Sequence, residues 1–156
     1  MSTLNEQRYW PVARDKPGLL RAMMRVLSGD AHISFEGDLS RCNFDESLHP
    51  TFAETAVLKR NTLVPKQDFV VVPLPVDAVM SILAVVLPDN RFMKDVLHIQ
   101  IESGGLLQFG SYDQFHPECI VCYSPGISPS MLDQLKASGV IRSWSVPKEG
   151  AQRWHG

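Results

Sequence analysis

His116, Cys119 and Cys122 form an H-x-x-C-x-x-C run, and with Cys42 or another histidine they supply the ligand types of a four-coordinate zinc site. Zinc requires the two sulfurs to converge, as they do when C-x-x-C sits on a tight turn. Cys119 to Cys122 instead reads as a strand, where residues three apart face opposite sides. Two cysteines packed as small hydrophobes are therefore expected, with no metal and no cofactor. A redox pair is disfavoured for the same reason, because reactive C-x-x-C motifs open a helix. The remaining catalytic alternative is a metal-dependent or cysteine enzyme centred on His116 and Cys119, with Ser111 as a second nucleophile. No nucleophile elbow surrounds Ser111 or Cys119, and no glycine-rich phosphate loop is present.

A second set of polar groups comes from two alternating segments. In His32 to Leu39 the side chains of Ile33, Phe35 and Leu39 share one face, and His32, Ser34, Glu36 and Asp38 the other. His98, Gln100 and Glu102 form a similar row. Histidines beside carboxylates can bind a divalent cation or move protons. Any half-exposed strand shows the same alternation, however, so a solvated sheet face is expected, with the two strands at opposite edges of the sheet.

The loop Gly110 to Glu118 concentrates aromatic, acidic and imidazole side chains between glycine and proline. Large rigid side chains carry most interface energy. Tyr112, Asp113, Phe115, His116 and Glu118, together with Glu36 and Asp38, are accordingly the candidate partner-binding residues. The structural alternative is that Phe115 plugs the core, Pro117 sets the turn and Asp113 caps its own backbone.

Several elements must position these groups. Arg8 to Arg14 is a strand in which Pro11 cannot donate to a ladder, so it is an edge or begins at the proline. Asp15-Lys16-Pro17 caps a helix through Leu19, Leu20, Met23, Met24 and Leu27 that stops at Ser28-Gly29. Residues 40–67 read as an excursion with a brief strand at Thr55 to Leu58. Asp68 to Leu74 is apolar on both faces, the pattern of a central covered strand. Pro75 opens a second helix, expected to be almost wholly buried, through Leu87. Val96 onward gives a hairpin turning at Ser103-Gly104-Gly105, then the strand with the cysteines. A helix capped by Ser128 and a last strand, Val140 to Val146, precede a polar tail. The fold class expected is α+β: a ferredoxin-like βαββαβ core, extended by a further β-β-α-β, with a mainly antiparallel sheet packed against helices.

The chain has 156 residues, 44% apolar and 21% charged, which fits one globular domain spanning residues 1–156. Up to Lys66 it carries 9 basic and 8 acidic residues, and after it 6 and 9. That balance lacks the basic footprint of a nucleic-acid binder. Three cysteines are too few and too odd in number for a disulfide framework, which fits a reducing cytoplasm. The amino-terminal residues show no basic segment followed by an apolar run, and no window approaches the roughly 20 residues needed to span a bilayer. A cytoplasmic protein without membrane contact is expected.

Asp15-Lys16-Pro17-Gly18-Leu19-Leu20 resembles the strand-to-helix turn of ACT-type regulatory domains, where D-x-P-G-L lies between the first strand and helix. The resemblance covers Val12 to Ile33. It implies a ferredoxin-like module that binds a small ligand such as an amino acid, commonly at a subunit interface, and it leaves a homodimer open.

With no complete catalytic signature, the leading expectation is a non-catalytic binding protein. Its form would be an inhibitor of the immunity type that neutralises a protein partner such as a toxin. The ACT-like ligand module and the metal or cysteine enzyme are the alternatives.

Overall fold

The computed structural model describes residues 7–92 and 94–153; the first six residues, which enter the leader reading, and the end of the polar tail lie outside them. Seven strands form one sheet: β1 (Arg8–Ala13), β2 (Ala31–Gly37), β3 (Asp68–Pro73), β4 (Val96–Ser103), β5 (Leu106–Ser111), β6 (Ile120–Tyr123) and β7 (Ile141–Ser145). Three α-helices join them: α1 (Lys16–Leu27), α2 (Val79–Val86) and α3 (Pro129–Ala137). The strand order is β3-β2-β4-β5-β6-β1-β7, and every neighbouring pair is antiparallel.

The α+β class holds, but the sheet lacks the ferredoxin-like neighbours expected of its first four strands. β1 lies between β6 and β7, not beside β3 or β4. Antiparallel pairing throughout makes β1 parallel to β2, β3 to β4, and β6 to β7, so each helix is the crossover of a parallel pair. The hairpin strands β4 and β5, with β6, are inserted between β1 and β2. That insertion depends on non-local pairing, which local periodicity does not encode.

All three helices contribute to one core cluster on one face of the sheet, opposite Ile33, Phe35, Val70, Val72, Ile99, Ile101 and Phe109. Helix α1 follows its sequence logic. Asp15 Oδ1 accepts from Gly18 N–H at 3.0 Å, and Leu19, Leu20, Met23, Met24 and Leu27 are buried. Burying each such side chain contributes about 1.5–3 kcal/mol. Helix α2 departs from its expected near-complete burial. Val79, Ile82, Leu83 and Val86 face the core, whereas Met80, and Val76 in the 3-10 turn that precedes the helix, are exposed. The helix lies on the outside of the layer, so one side meets water whatever its composition.

Pro11 is accommodated because β6 pairs only Arg8 and Tyr9, while β7 pairs Trp10 to Ala13. β1 is thus an inner strand whose proline lies beyond the part that β6 covers. β3 is covered on both faces, as its sequence implies, yet it is an edge strand and not a central one. The hairpin turn is as expected: Gly104 and Gly105 both have positive φ, 61° and 83°, which the two-residue turn from Ser103 to Leu106 requires.

Residues 40–67 contain a short 3-10 turn (Glu46–Leu48) and two isolated bridges, Thr51 to Val71 and Leu63 to Lys66. No strand forms at Thr55 to Leu58. Thr55 instead closes a turn on itself, its Oγ1 accepting from the N–H groups of Val57 and Leu58. The excursion covers the helix-free face over β2, β3 and β4. Over β1 and β6 the same face meets the carboxy-terminal residues, where the Arg153 guanidinium lies 3.9 Å from the Trp10 ring centroid.

Candidate functional site

β2 and β4 are immediate neighbours, not opposite edges, and their register sets three polar pairs side by side: His32 with Glu102, Ser34 with Gln100, and Glu36 with His98. Directly opposed residues on one sheet face are within side-chain contact distance. The face is also dry. Glu36 and Ser34 are 1% exposed, Gln100 5% and His98 6%. The expectation of a solvated face is overturned because residues 59–62 of the excursion lie on it.

Ser34 accepts from Gln100 Nε2 at 3.4 Å, and the other buried groups meet the excursion or the loop after β5. Both carboxyl oxygens of Glu36 accept from Asn61 N–H, at 2.8 and 3.1 Å, and Oε2 also accepts from Thr62 N–H at 2.9 Å. Gln100 Nε2 donates to Lys59 O at 2.8 Å, while its Oε1 accepts from the Tyr112 hydroxyl at 3.3 Å. His98 Nδ1 accepts from Asp113 N–H at 3.2 Å, so its proton is on Nε2, which donates to Thr62 Oγ1 at 2.9 Å. A backbone N–H cannot accept, so the tautomer follows from the main chain.

Burial holds the His98 pKa below its ordinary value, against the opposing influence of Glu36 and then Asp113. Burial likewise raises that of Tyr112 far above the phenol range, with Tyr123 and Glu36 adding to it. The imidazole is therefore neutral at pH 7 and the phenol protonated, which suits the bonds they make. At the far end of the face, His32 Nδ1 and Glu102 Oε1 are 2.6 Å apart, and Gly105 N–H holds the other Glu102 oxygen at 2.9 Å.

The loop after β5 has an unusual backbone. Asp113, Gln114 and Phe115 all have φ between 55° and 60°. Left-handed backbone costs an L-residue about 1–2 kcal/mol. Three anchors offset that cost. Asp113 N–H donates to His98, Gln114 N–H donates to Leu97 O at 2.9 Å, and the Phe115 ring packs on Phe92 and Phe109 at centroid distances of 5.1 and 6.4 Å.

Of the seven residues expected to contact a partner, Tyr112, Phe115 and Glu36 are buried, and Asp113, His116, Glu118 and Asp38 are at the surface. The two groups do adjoin one another. Asp38 N–H bonds Asp95 O and Gln114 N–H bonds Leu97 O, so both segments dock on the start of β4. Asp38 is held below the usual carboxylate range by its hydrogen bonds from Ser40.

Cys119 lies in the bend before β6, not in the strand expected from Cys119 to Cys122, yet the two cysteines still separate. Cys122 joins the helix-side core, whereas Cys119 packs with Tyr112 and Val121 on the other face. Burial raises the pKa of both thiols. Ser111 also lies on the helix side, away from His98. Among the described residues, no group of three or more His, Cys, Asp or Glu is placed to hold a metal ion.

Asn61, Thr62 and the Lys59 carbonyl went unnoticed in the sequence. The available signal was a polar row without a single lysine or arginine, joined directly to a long excursion. A wet face would carry such cations, whereas His, Gln, Ser and Glu suit peptide groups laid over them. Comparison of the chain with protein-family models, with curated proteins and with solved structures returns no match.

Proposed function

We propose that the chain is a non-catalytic binding protein that neutralises a protein partner, such as a toxin, by covering its working surface with the excursion. The observation that carries this reading is the display of Phe52, Leu63 and Val64, which are 66%, 71% and 93% exposed on a segment anchored from below by Glu36, His98 and Gln100. Large apolar side chains held out in water on an anchored backbone leave only side-chain rotamer freedom to be lost on binding, which favours recognition. Their polar flank, Arg60 and Lys66, supplies the rim that interfaces place around an apolar centre.

The polar network serves this reading as a clamp. Its donors and acceptors are engaged with main chain of the excursion and of the loop after β5, with Thr62 Oγ1 and with the Tyr112 hydroxyl. On the same reading the surface acids Asp38, Asp113 and Glu118 are rim contacts, set where both segments meet the start of β4.

The test is affinity capture from the native host with the whole chain and with a Phe52→Ser, Leu63→Ser, Val64→Ser variant, followed by assay of the captured protein. A stoichiometric partner is expected with the parent chain only. Its activity should fall to zero at one equivalent of the parent and persist with the variant. Equal capture by both forms, or a partner whose activity is unaffected, contradicts the proposal.

A further inference from the structure

A groove of about 500 Å³ straddles the outer edge of β3, and its two walls belong to different layers of the molecule. Leu39, Cys42, Phe44 and Val70 form one wall, and all four pack with the helix-side core. The other wall is Phe69, which belongs to a small cluster on the opposite face, with the Arg60 guanidinium carbon 5.1 Å from its ring centroid. Lys66 adds a second cation, and Phe52 a further aromatic ring. An apolar wall that faces a cationic one is a lining suited to an organic anion.

The walls are fixed before any ligand arrives. Phe44 stacks on the buried Phe35 ring at a centroid distance of 5.5 Å. Arg60 N–H donates to Glu54 Oε2 at 2.9 Å, and its guanidinium donates to the Gln67 carbonyl. That last bond leaves most of the five guanidinium N–H groups for another acceptor. Thr51, next to Phe52, exchanges main-chain bonds with Val71 at 2.8 and 2.9 Å, and Lys66 is bridged to Leu63. Side chains already in place lose little freedom when a ligand enters.

We propose that this groove binds a small aromatic carboxylate, its ring against Phe44 and Phe52 and its carboxylate on Arg60 and Lys66.

Charge sets the orientation. Asp68, the one acid that lines the groove, already accepts from Leu39 N–H at 3.0 Å. Asp38 and Asp95 lie close enough to act on the Cys42 thiol in the apolar wall, so an anion is repelled from that side and drawn to the cations. Among the described residues, neither Arg60 nor Lys66 is within ion-pair distance of a carboxylate. A carboxylate matches the planar fork of a guanidinium with two parallel bonds. A flat ring suits walls that themselves present phenyl rings and a guanidinium plane. Leu63 and Val64 lie outside the groove, so the inference stands apart from the protein-binding reading.

The probe is naphthoate, titrated into the isotope-labelled whole chain, with naphthamide as its neutral isostere. Naphthoate should shift the amide resonances of Phe44, Gln67 and Phe69 saturably. It should bind about tenfold more tightly than naphthamide, the loss expected when a charge-assisted pair becomes a neutral contact. Lys66→Gln, at an exposed side chain, should narrow that preference, and Arg60→Gln should remove it. If Arg60→Gln loosens the excursion, seen as shifts throughout residues 59–67 without ligand, the parent and Lys66→Gln decide by themselves. No saturable shift, shifts centred away from the groove, equal binding of the two compounds, or a preference unchanged by Lys66→Gln overturns the site. Such a failure leaves the capture experiment untouched, and a charge-dependent shift in the groove stands whether or not a protein partner is captured.

Discussion

His98 ties three segments together, β4, the excursion and the loop after β5, and does so only in one protonation state. Its Nδ1 accepts from Asp113 N–H, and protonation would replace that acceptor with a donor facing a donor. Burial depresses its folded pKa below the ordinary 6.5. The unfolded chain therefore takes up a proton first as pH falls, and stability declines below about 6.5 toward the folded pKa. Above the unfolded value the contribution is fully present. His98→Gln keeps an acceptor for Asp113 and a donor for Thr62 without a titrating group. Urea midpoints at pH 7.5 and 5.5 should differ clearly for the parent and much less for the variant; an unchanged difference would place the titration elsewhere.

At the scale of elements, the loop after β5 stands out because three consecutive non-glycine residues adopt left-handed backbone. Its middle residue, Gln114, is the best probe, since its neighbours each hold a further anchor. Gln114→Gly removes a penalty of about 1–2 kcal/mol and adds back about 0.5–1 kcal/mol of unfolded-state entropy, so it should be neutral or slightly stabilising. Gln114→Val should cost about 1–2 kcal/mol, because a β-branched side chain suits that region least. Guanidinium denaturation of the two variants measures this ordering. Its reversal would mean that the turn is not strained.

For the whole molecule, the sheet carries two different cores. The helix side is one large apolar cluster, whereas the other side has two small ones, Leu58 with Phe69 and Val71 and Tyr112 with Cys119 and Val121, together with polar side chains bonded to the main chain of the excursion. Residues 59–62 of the excursion are exposed or half-buried and held mainly by hydrogen bonds, so they open at lower free energy than the sheet beneath them. Amide exchange should therefore show residues 59–62 opening well before β2 and β4. Glu36→Ala leaves the Asn61 and Thr62 N–H groups without their acceptor, which should cost about 2–3 kcal/mol. Trypsin should then cut faster after Lys59, Arg60 or Lys66 while β4 stays protected. Uniform acceleration across the chain would show that the excursion and the sheet unfold together.

Much of this molecule was legible from local chemistry. The Asp15 cap, the spacing from Leu19 to Leu27, the glycine pair of the hairpin and the Ser128 cap each act within a few residues. Strand alternation anticipated the opposite facing of Cys119 and Cys122, although Cys119 itself lies in the bend before β6. Nothing local indicated that β4 pairs β2, since that register sets opposite one another residues that are 62 to 70 positions apart in the three polar pairs. The same pairing converted His32, Ser34, Glu36, His98, Gln100 and Glu102 from two separate rows into one patch. The excursion then covered the patch except at its His32 end, because its peptide groups satisfy what water otherwise would. Sequence by itself determined the seven strands, the three helices, the Asp15 and Ser128 caps and which side of β2 and β4 is polar, but it also suggested a strand at Thr55 to Leu58 that does not form. Only the tertiary structure decided that the polar side lies inside and that Phe52, Leu63 and Val64 lie outside, since burial is a property of what packs above a residue.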